Sequence, residues 1–462
     1  MTITRVDRSR LPAPGPDPQF RFPEIVHHTL ANGLKVRTVE HPGVPLVTFV
    51  MQIDGGLGAD STGREGLAAL TADMVDEGTG SLSAIDVSDA LARIGAEYDV
   101  EVGADATLFA LTTLARFAAR GATLLSEMLM TPSMHGADFE RVRQLRLDRL
   151  RQLTDLPPAV AERAFLRLLY PSHPYGHLAI GSVEALRVLT REDVVRFHAS
   201  TFLPSRSTLI AVGALSHADL VAIAEDVFGG WSGEEQGADL PAPAADVVVE
   251  MGASPQLLVV PREGAAQSEL RIGHLSARRN TPDYPPLLVM NAILGGQFVS
   301  RLNMKLREEK AFTYGVRSGF DWRRGVGPFS VQTSVHTAAT AESIADTLKE
   351  ISDLRGGRPA TADELSLAQA SLTRGYPRNF ETAQQVARSV GQLALFDLPD
   401  SYFEQFVPNV KAVTVDDVTR VARTYLDPGR VISLVVGDRN VTEASLSGLG
   451  VGELRVLPPS GQ

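Results

Sequence analysis

One block of this sequence is written twice. LTREDVVRFHASTFLPSRSTLIAVG at 189–213 has a counterpart in VTVDDVTRVARTYLDPGRVISLVVG at 413–437, and the two align without a gap. An offset of 224 positions pairs Thr190 with Thr414, Asp193 with Asp417, Val194 with Val418, Pro204 with Pro428, Arg206 with Arg430, Val212 with Val436 and Gly213 with Gly437. A chain built this way folds as two copies of one unit of roughly 220 residues. Each copy reads as a Thr N-cap with acids in the first turn, an amphipathic helix, a Pro-containing turn ending in Arg, and a short apolar strand closing at Gly.

Strand-like segments open both halves: GLKVRTVE and PLVTFVMQI in the first, PQLLVVPRE and QSELRIGHL in the second. Long helical patterns precede each repeat, DFERVRQLRLDRLRQL at 138–153 and TADELSLAQASLTRG at 361–375. The expected fold is α+β, with two homologous mixed α/β domains. The expected division is an extended lead-in over 1–22, a first domain over 23–235, a Gly/Ala/Pro-rich linker over 236–250, a second domain over 251–450 and a tail over 451–462. Two similar halves joined by one strap suggest a cleft between them.

The apolar runs, such as Leu257 to Val260, are strand-sized, well short of the roughly 18 residues that a membrane span needs. The first twenty residues carry charges without an apolar core behind them and do not read as a secretory signal. A formal charge of −11 argues against a general nucleic-acid footprint, and the absence of cysteine removes thiolate chemistry and disulfides. These features are compatible with the cytoplasm.

Few motifs carry chemistry by their residues alone. Gly295-Gly296 has no phosphate-loop context and reads as a tight turn between helices. His173 and His177 in SHPYGH have the i, i+4 spacing of a helical zinc pair, but Pro174 and Gly176 break the helix that would align them, so a structural loop is expected. In GREGLAALTADMVDEGTG, 63–80, Leu67, Leu70 and Met74 have the spacing of a buried helix face.

This last stretch resembles the pitrilysin-type zinc peptidases, which include insulysin and the mitochondrial processing peptidase. Their first half carries GLxHxxEHMxxxGT, where two histidines bind zinc and the glutamate activates water. Aligned on Gly66-Leu67, Met74 and Gly78-Thr79, those positions fall on Ala69, Ala72 and Asp73. The family's third ligand, a glutamate in a stretch like ERxxxLxEE, falls on Arg149 of FERVRQLRLDRL, with Val142 where a further acid stands. Without its ligands and general base, the chain is not expected to bind zinc or to hydrolyse peptides by itself.

The second half keeps what the first has lost. GGQFVSRLNMKLREEKAFTYGV resembles the family's GGxxSRLxxxLREKxGLxYxV, and it places Arg307 and Tyr314 seven residues apart. It departs where Ala311-Phe312 stand for Gly-Leu. The resemblance implies that this arginine and tyrosine hold the substrate backbone and donate to the oxyanion across a cleft from zinc. It also implies an HxxEH-bearing partner that carries the zinc, a peptide substrate and half of a clamshell-shaped dimer; self-association of the isolated chain is a further expectation. Two other readings stand beside it: a non-catalytic structural or peptide-binding homologue, and an unrelated metal enzyme built from scattered His and Asp.

Overall fold

The computed structural model describes residues 9, 15, 20–233, 244–248 and 254–459. Most of the expected linker and of the lead-in, and the end of the tail, lie outside the described residues. Eight strands belong to the first half: β1 (Val26–Thr29), β2 (Lys35–Glu40), β3 (Leu46–Asp54), β4 (Gly78–Thr79), β5 (Leu82–Ser83), β6 (Glu97–Val102), β7 (Ala106–Leu114) and β8 (Ser207–Gly213). Six belong to the second: β9 (Gln256–Pro261), β10 (Gln267–Leu275), β11 (Val316–Phe320), β12 (Pro328–His336), β13 (Ile432–Gly437) and β14 (Leu454–Val456).

They form two six-stranded sheets, ordered β1-β2-β8-β3-β7-β6 and β14-β9-β13-β10-β12-β11, with β4 and β5 as a small separate hairpin. The orders correspond strand for strand, including the parallel pairs β2 with β8 and β9 with β13. The repeated block explains the match. Thr190 and Asp193 form a capping box at the start of the helix Arg191–Thr201, and Thr414 and Asp417 form another at Val415–Tyr425. Each helix is followed by a single 3₁₀ turn, Pro204–Arg206 or Pro428–Arg430, which sends the chain into the buried strand β8 or β13.

The halves meet through exchanged helices. Pro157–Leu169, from the first half, packs on β10 and β13 of the second sheet, burying Val160, Phe165 and Leu169 among Leu258, Leu434 and Val436. Ala383–Leu395, from the second half, packs on β3 and β8 of the first, burying Val386 and Val390 in one cluster with Val50 and Ile210. The cleft expected between the halves is therefore not the form of their junction. Each sheet has an apolar face that its own half leaves uncovered, and the partner half's helix covers it.

A polar junction reinforces this packing. The Arg324 backbone N–H donates to Asp105 Oδ2 at 2.8 Å, and Arg324 Nη2 donates to Asp54 Oδ1 at 2.9 Å. Tyr175, fully buried, gives its hydroxyl to Asp105, while its carbonyl accepts from Arg323 Nη1 at 3.3 Å. The SHPYGH loop is thus part of the seam between the halves. His177 Nε2 lies 2.9 Å from Asp60 Oδ2, and His173 Nδ1 accepts from the Tyr175 N–H, so the two imidazoles serve separate local structures.

Candidate functional site

The residues singled out in the sequence fall in two separate places, one in each half. The first begins at Gly66, whose φ of +97° and close approach to Gly181 Cα (2.8 Å from a would-be Cβ) both require glycine. The buried Asp60 carboxylate accepts from the N–H groups of Gly66 (2.6 Å) and Ala68 (2.7 Å), which fixes the start of the helix Leu67–Asp73. Leu67, Leu70 and Met74 are buried, as their spacing predicts.

Ala69 and Ala72 are also buried, 2% and 0% exposed, and bring no donor atom. Asp73 is taken by Arg146, whose Nε donates to Asp73 Oδ2 at 2.6 Å while its Nη1 donates to the Ala179 carbonyl. Arg149, one helical turn further along Gly136–Leu153, is exposed and donates to Gln152. Asp73, Arg146 and Arg149 do line one cavity of about 500 Å³, with Asp76, Tyr98 and Leu145 among its other walls. The sequence brought Asp73 and Arg149 to this place; it gave no sign of Arg146.

A zinc ion does not fit these residues. Two positions are apolar, the one carboxylate already has a guanidinium partner, and the remaining position is a cation. Among the described residues, no group of three or more His, Cys, Asp or Glu could hold a metal ion. Within this cavity burial, followed by the nearby Glu77 and Asp73 carboxylates, pushes Asp76 up to about 6.

The second place runs from the helix Tyr284–Asn291 through a π-helical turn at Ala292–Gly296, which replaces the tight turn expected at Gly295-Gly296. A second π-helical turn, Asn303–Glu309, carries Arg307. Such turns are rare and often mark functional positions. Leu306 is fully buried and anchors this turn, while the Arg307 guanidinium lies 4.1 Å from the Phe298 ring centroid and 3.4 Å from Glu308. Stacking on the ring steadies the cation, and one of its Nη groups is turned towards Glu308.

The helix ends at Ala311, in the left-handed region with φ +52°, and the Phe312 N–H turns back to the Leu306 carbonyl at 2.8 Å. Ala311, which stands where the resembled pattern has glycine, thus adopts a conformation that glycine would take at lower cost. Tyr314 follows in a turn whose ends are tied down. Thr313 and Thr333 hydroxyls both donate to the Gly315 carbonyl, and Val316 is buried at the head of β11. Tyr314 itself is 93% exposed.

The exposed Tyr314 phenol and the Arg307 guanidinium, each carried on its own turn, can each donate hydrogen bonds to an anionic oxygen or a peptide carbonyl. Sequence reasoning missed Asn303, which holds this turn together. It is 5% exposed, its Oδ1 accepts from the Val316 N–H at 3.0 Å, and its Nδ2 donates to the Val316 carbonyl at 2.8 Å and approaches Ser300 and Gln297.

The two sheets of matching strand order thus carry one place where the described residues offer no metal-ligand set and another that presents Arg307 and Tyr314. Residues 189–372 match the family described as Peptidase M16 inactive domain. The chain is 26% identical over 403 residues to an uncharacterized zinc protease of Mycobacterium tuberculosis, covering 86% of this chain and 90% of that protein. It is 23% identical over 424 residues to a mitochondrial-processing peptidase subunit beta of Lentinula edodes, covering 88% of each. A solved peptidase M16 inactive domain from Pseudomonas fluorescens has the same fold, with a TM-score of 0.80 at 23% identity, over 90% of this chain and 98% of that one. These findings show likeness to M16 peptidases over most of the chain and a shared fold with the solved domain.

Proposed function

We propose that this chain is the non-metal subunit of a two-chain zinc endopeptidase, in which Arg307 and Tyr314 face the zinc site of an HxxEH-bearing partner. The observation that carries this reading is the 93% exposure of Tyr314 between the buried Leu306 and Val316. A tyrosine kept for packing would bury its ring; this one stands out from a turn whose next two residues, Gly315 and Val316, are hydrogen-bonded. In the complex the phenol donates to the oxyanion formed when partner-bound water attacks the peptide carbonyl, and the guanidinium fixes the substrate backbone. Zinc belongs to the partner.

The peptide is held as an extended strand, and β6 offers a place for one. It is the edge strand of its sheet, and its exposed side chains are Glu97, Asp99 and Glu101, the first two within reach of Gln384 and Arg388. Basic extended peptides are therefore the favoured class.

The test is a peptide-cleavage assay with a fixed amount of the zinc-bearing partner, titrated with this chain. The wild type is expected to raise the rate to a stoichiometric plateau. Tyr314→Phe, folded and still bound, is expected to lower that plateau by about 100-fold, the loss typical of one oxyanion donor. If wild type and variant bind the partner and neither raises the rate, the shared-site reading fails and a structural or peptide-binding role replaces it.

A further inference from the structure

The geometry points to Asn303 as the positioning residue that sets the relation between Arg307 and Tyr314. This inference rests on the shared-site reading above, but its structural core can be tested separately.

Arg307 sits on a helical turn and Tyr314 on the turn that opens a strand, so nothing in regular secondary structure fixes one against the other. The intervening hinge is Ala311, in the left-handed region. Asn303 closes the loop from the other side. It lies one helical turn before Arg307, and its amide pairs with both the N–H and the C=O of Val316, two residues after Tyr314. The side chain thus stands where the backbone of a neighbouring strand would stand, and it makes the same two bonds.

The pairing repeats along β11. Asn291 Nδ2 donates to the Ser318 carbonyl at 3.1 Å, and its Oδ1 accepts from the Ser318 hydroxyl at 2.7 Å. Two asparagines of the helical segment therefore grip alternate residues of the edge strand, and Asn303 is the one adjacent to the functional pair. Its amide is buried and its oxygen has one backbone partner, so a carboxylate or a shorter side chain breaks the clamp rather than loosening it. Because a misplacement of about 1 Å in a catalytic group can cost ~100-fold, a clamp that sets this spacing acts on the rate of the chemical step.

The experiment uses the full chain with Asn303→Asp, which keeps an acceptor for the Val316 N–H but loses the donors, and Asn303→Ala, which loses both. Amide hydrogen exchange on the chain alone is expected to speed up at least about tenfold over 312–318 in Asn303→Ala, while β10 and β13 stay protected. In the cleavage assay with saturating variant chain, kcat is expected to fall by roughly 10- to 100-fold with KM within about twofold. A merely structural role would reduce the amount of active complex, and adding more chain would restore the wild-type plateau.

Unchanged exchange over 312–318 in the folded variants overturns the clamp. Faster exchange with a wild-type kcat at saturation overturns the positioning role. If wild-type chain gives no activation at all, the shared-site reading has failed, and the exchange result alone decides whether Asn303 sets the turn.

Discussion

The two halves carry the same strand order and the same capping boxes, yet they have kept different things. Residues that tell the chain how to fold, Thr190 and Thr414, Asp193 and Asp417, Gly213 and Gly437, occupy equivalent places in both. At the candidate sites the halves part: in the first, the positions aligned with the resembled zinc ligands are core, an ion pair and an exposed arginine, whereas in the second a helical turn, a left-handed residue and a buried amide frame the segment that carries Arg307 and Tyr314. The edge strands differ in the same sense. The outward backbone of β11 is gripped by Asn291 and Asn303, while its counterpart β6 borders the altered cavity and, among the described residues, accepts no such clamp. Duplication preserves what specifies the sheet; it does not preserve what the sheet presents.

Three measurements can break or sharpen that contrast. The largest effect is expected from Ala72→Glu, which restores the general base expected from the family pattern. If the first place has become core, burying a carboxylate at this fully enclosed position destabilises the chain by about 3 kcal/mol or more, read from the midpoint of urea unfolding. A change under about 0.5 kcal/mol would mean that the position still opens to a cleft.

A smaller effect is expected at Asp76. Its folded value, about 6, stands above the ordinary 3.8, so ionising it opposes folding. The cost is absent below the ordinary value, grows as pH rises towards about 6, and is complete above it. After allowance for partial solvent screening, Asp76→Asn is expected to be about 1 kcal/mol more stable than the wild type at pH 8 and nearly equal to it at pH 4. A difference independent of pH would show that the acid-rich cavity does not strain this group.

The smallest effect belongs to the second of the two places. Ala311 holds a left-handed conformation that costs an L-residue roughly 1–2 kcal/mol, offset by the greater unfolded-state freedom of glycine. Ala311→Gly is expected to raise stability by about 0.5 kcal/mol in thermal unfolding. A loss of stability would mean that the methyl group makes contacts that matter more than the backbone strain.

Much of the fold was legible because the repeat is local. A Thr-x-x-Asp box, a Pro turn and a strand ending at Gly can each be read from a few adjacent residues, and the structure places all of them as expected. The exchange of helices was not legible. Pro157–Leu169 meets β13 across more than 260 positions, and its apolar face looks the same whichever sheet covers it. The positions of Ala69, Ala72, Asp73 and Arg149 could be assigned only through resemblance, and Arg146, the cation that pairs with Asp73, matched no pattern. Ala311 illustrates a further limit. Residue type gives a preference for a backbone conformation, and here the surrounding bonds from Phe312 and Ala311 override it.

The exchanged helices also order events in time. The faces of β3 and β8 that carry Val50 and Ile210 are complete once Gly213 has been made, but the helix that covers them ends at Leu395. At a general synthesis rate of about 5–20 residues per second, those apolar faces wait on the order of 10–40 s for their cover. During that interval the apolar faces around Val50 and Ile210 stand open to everything near the nascent first half.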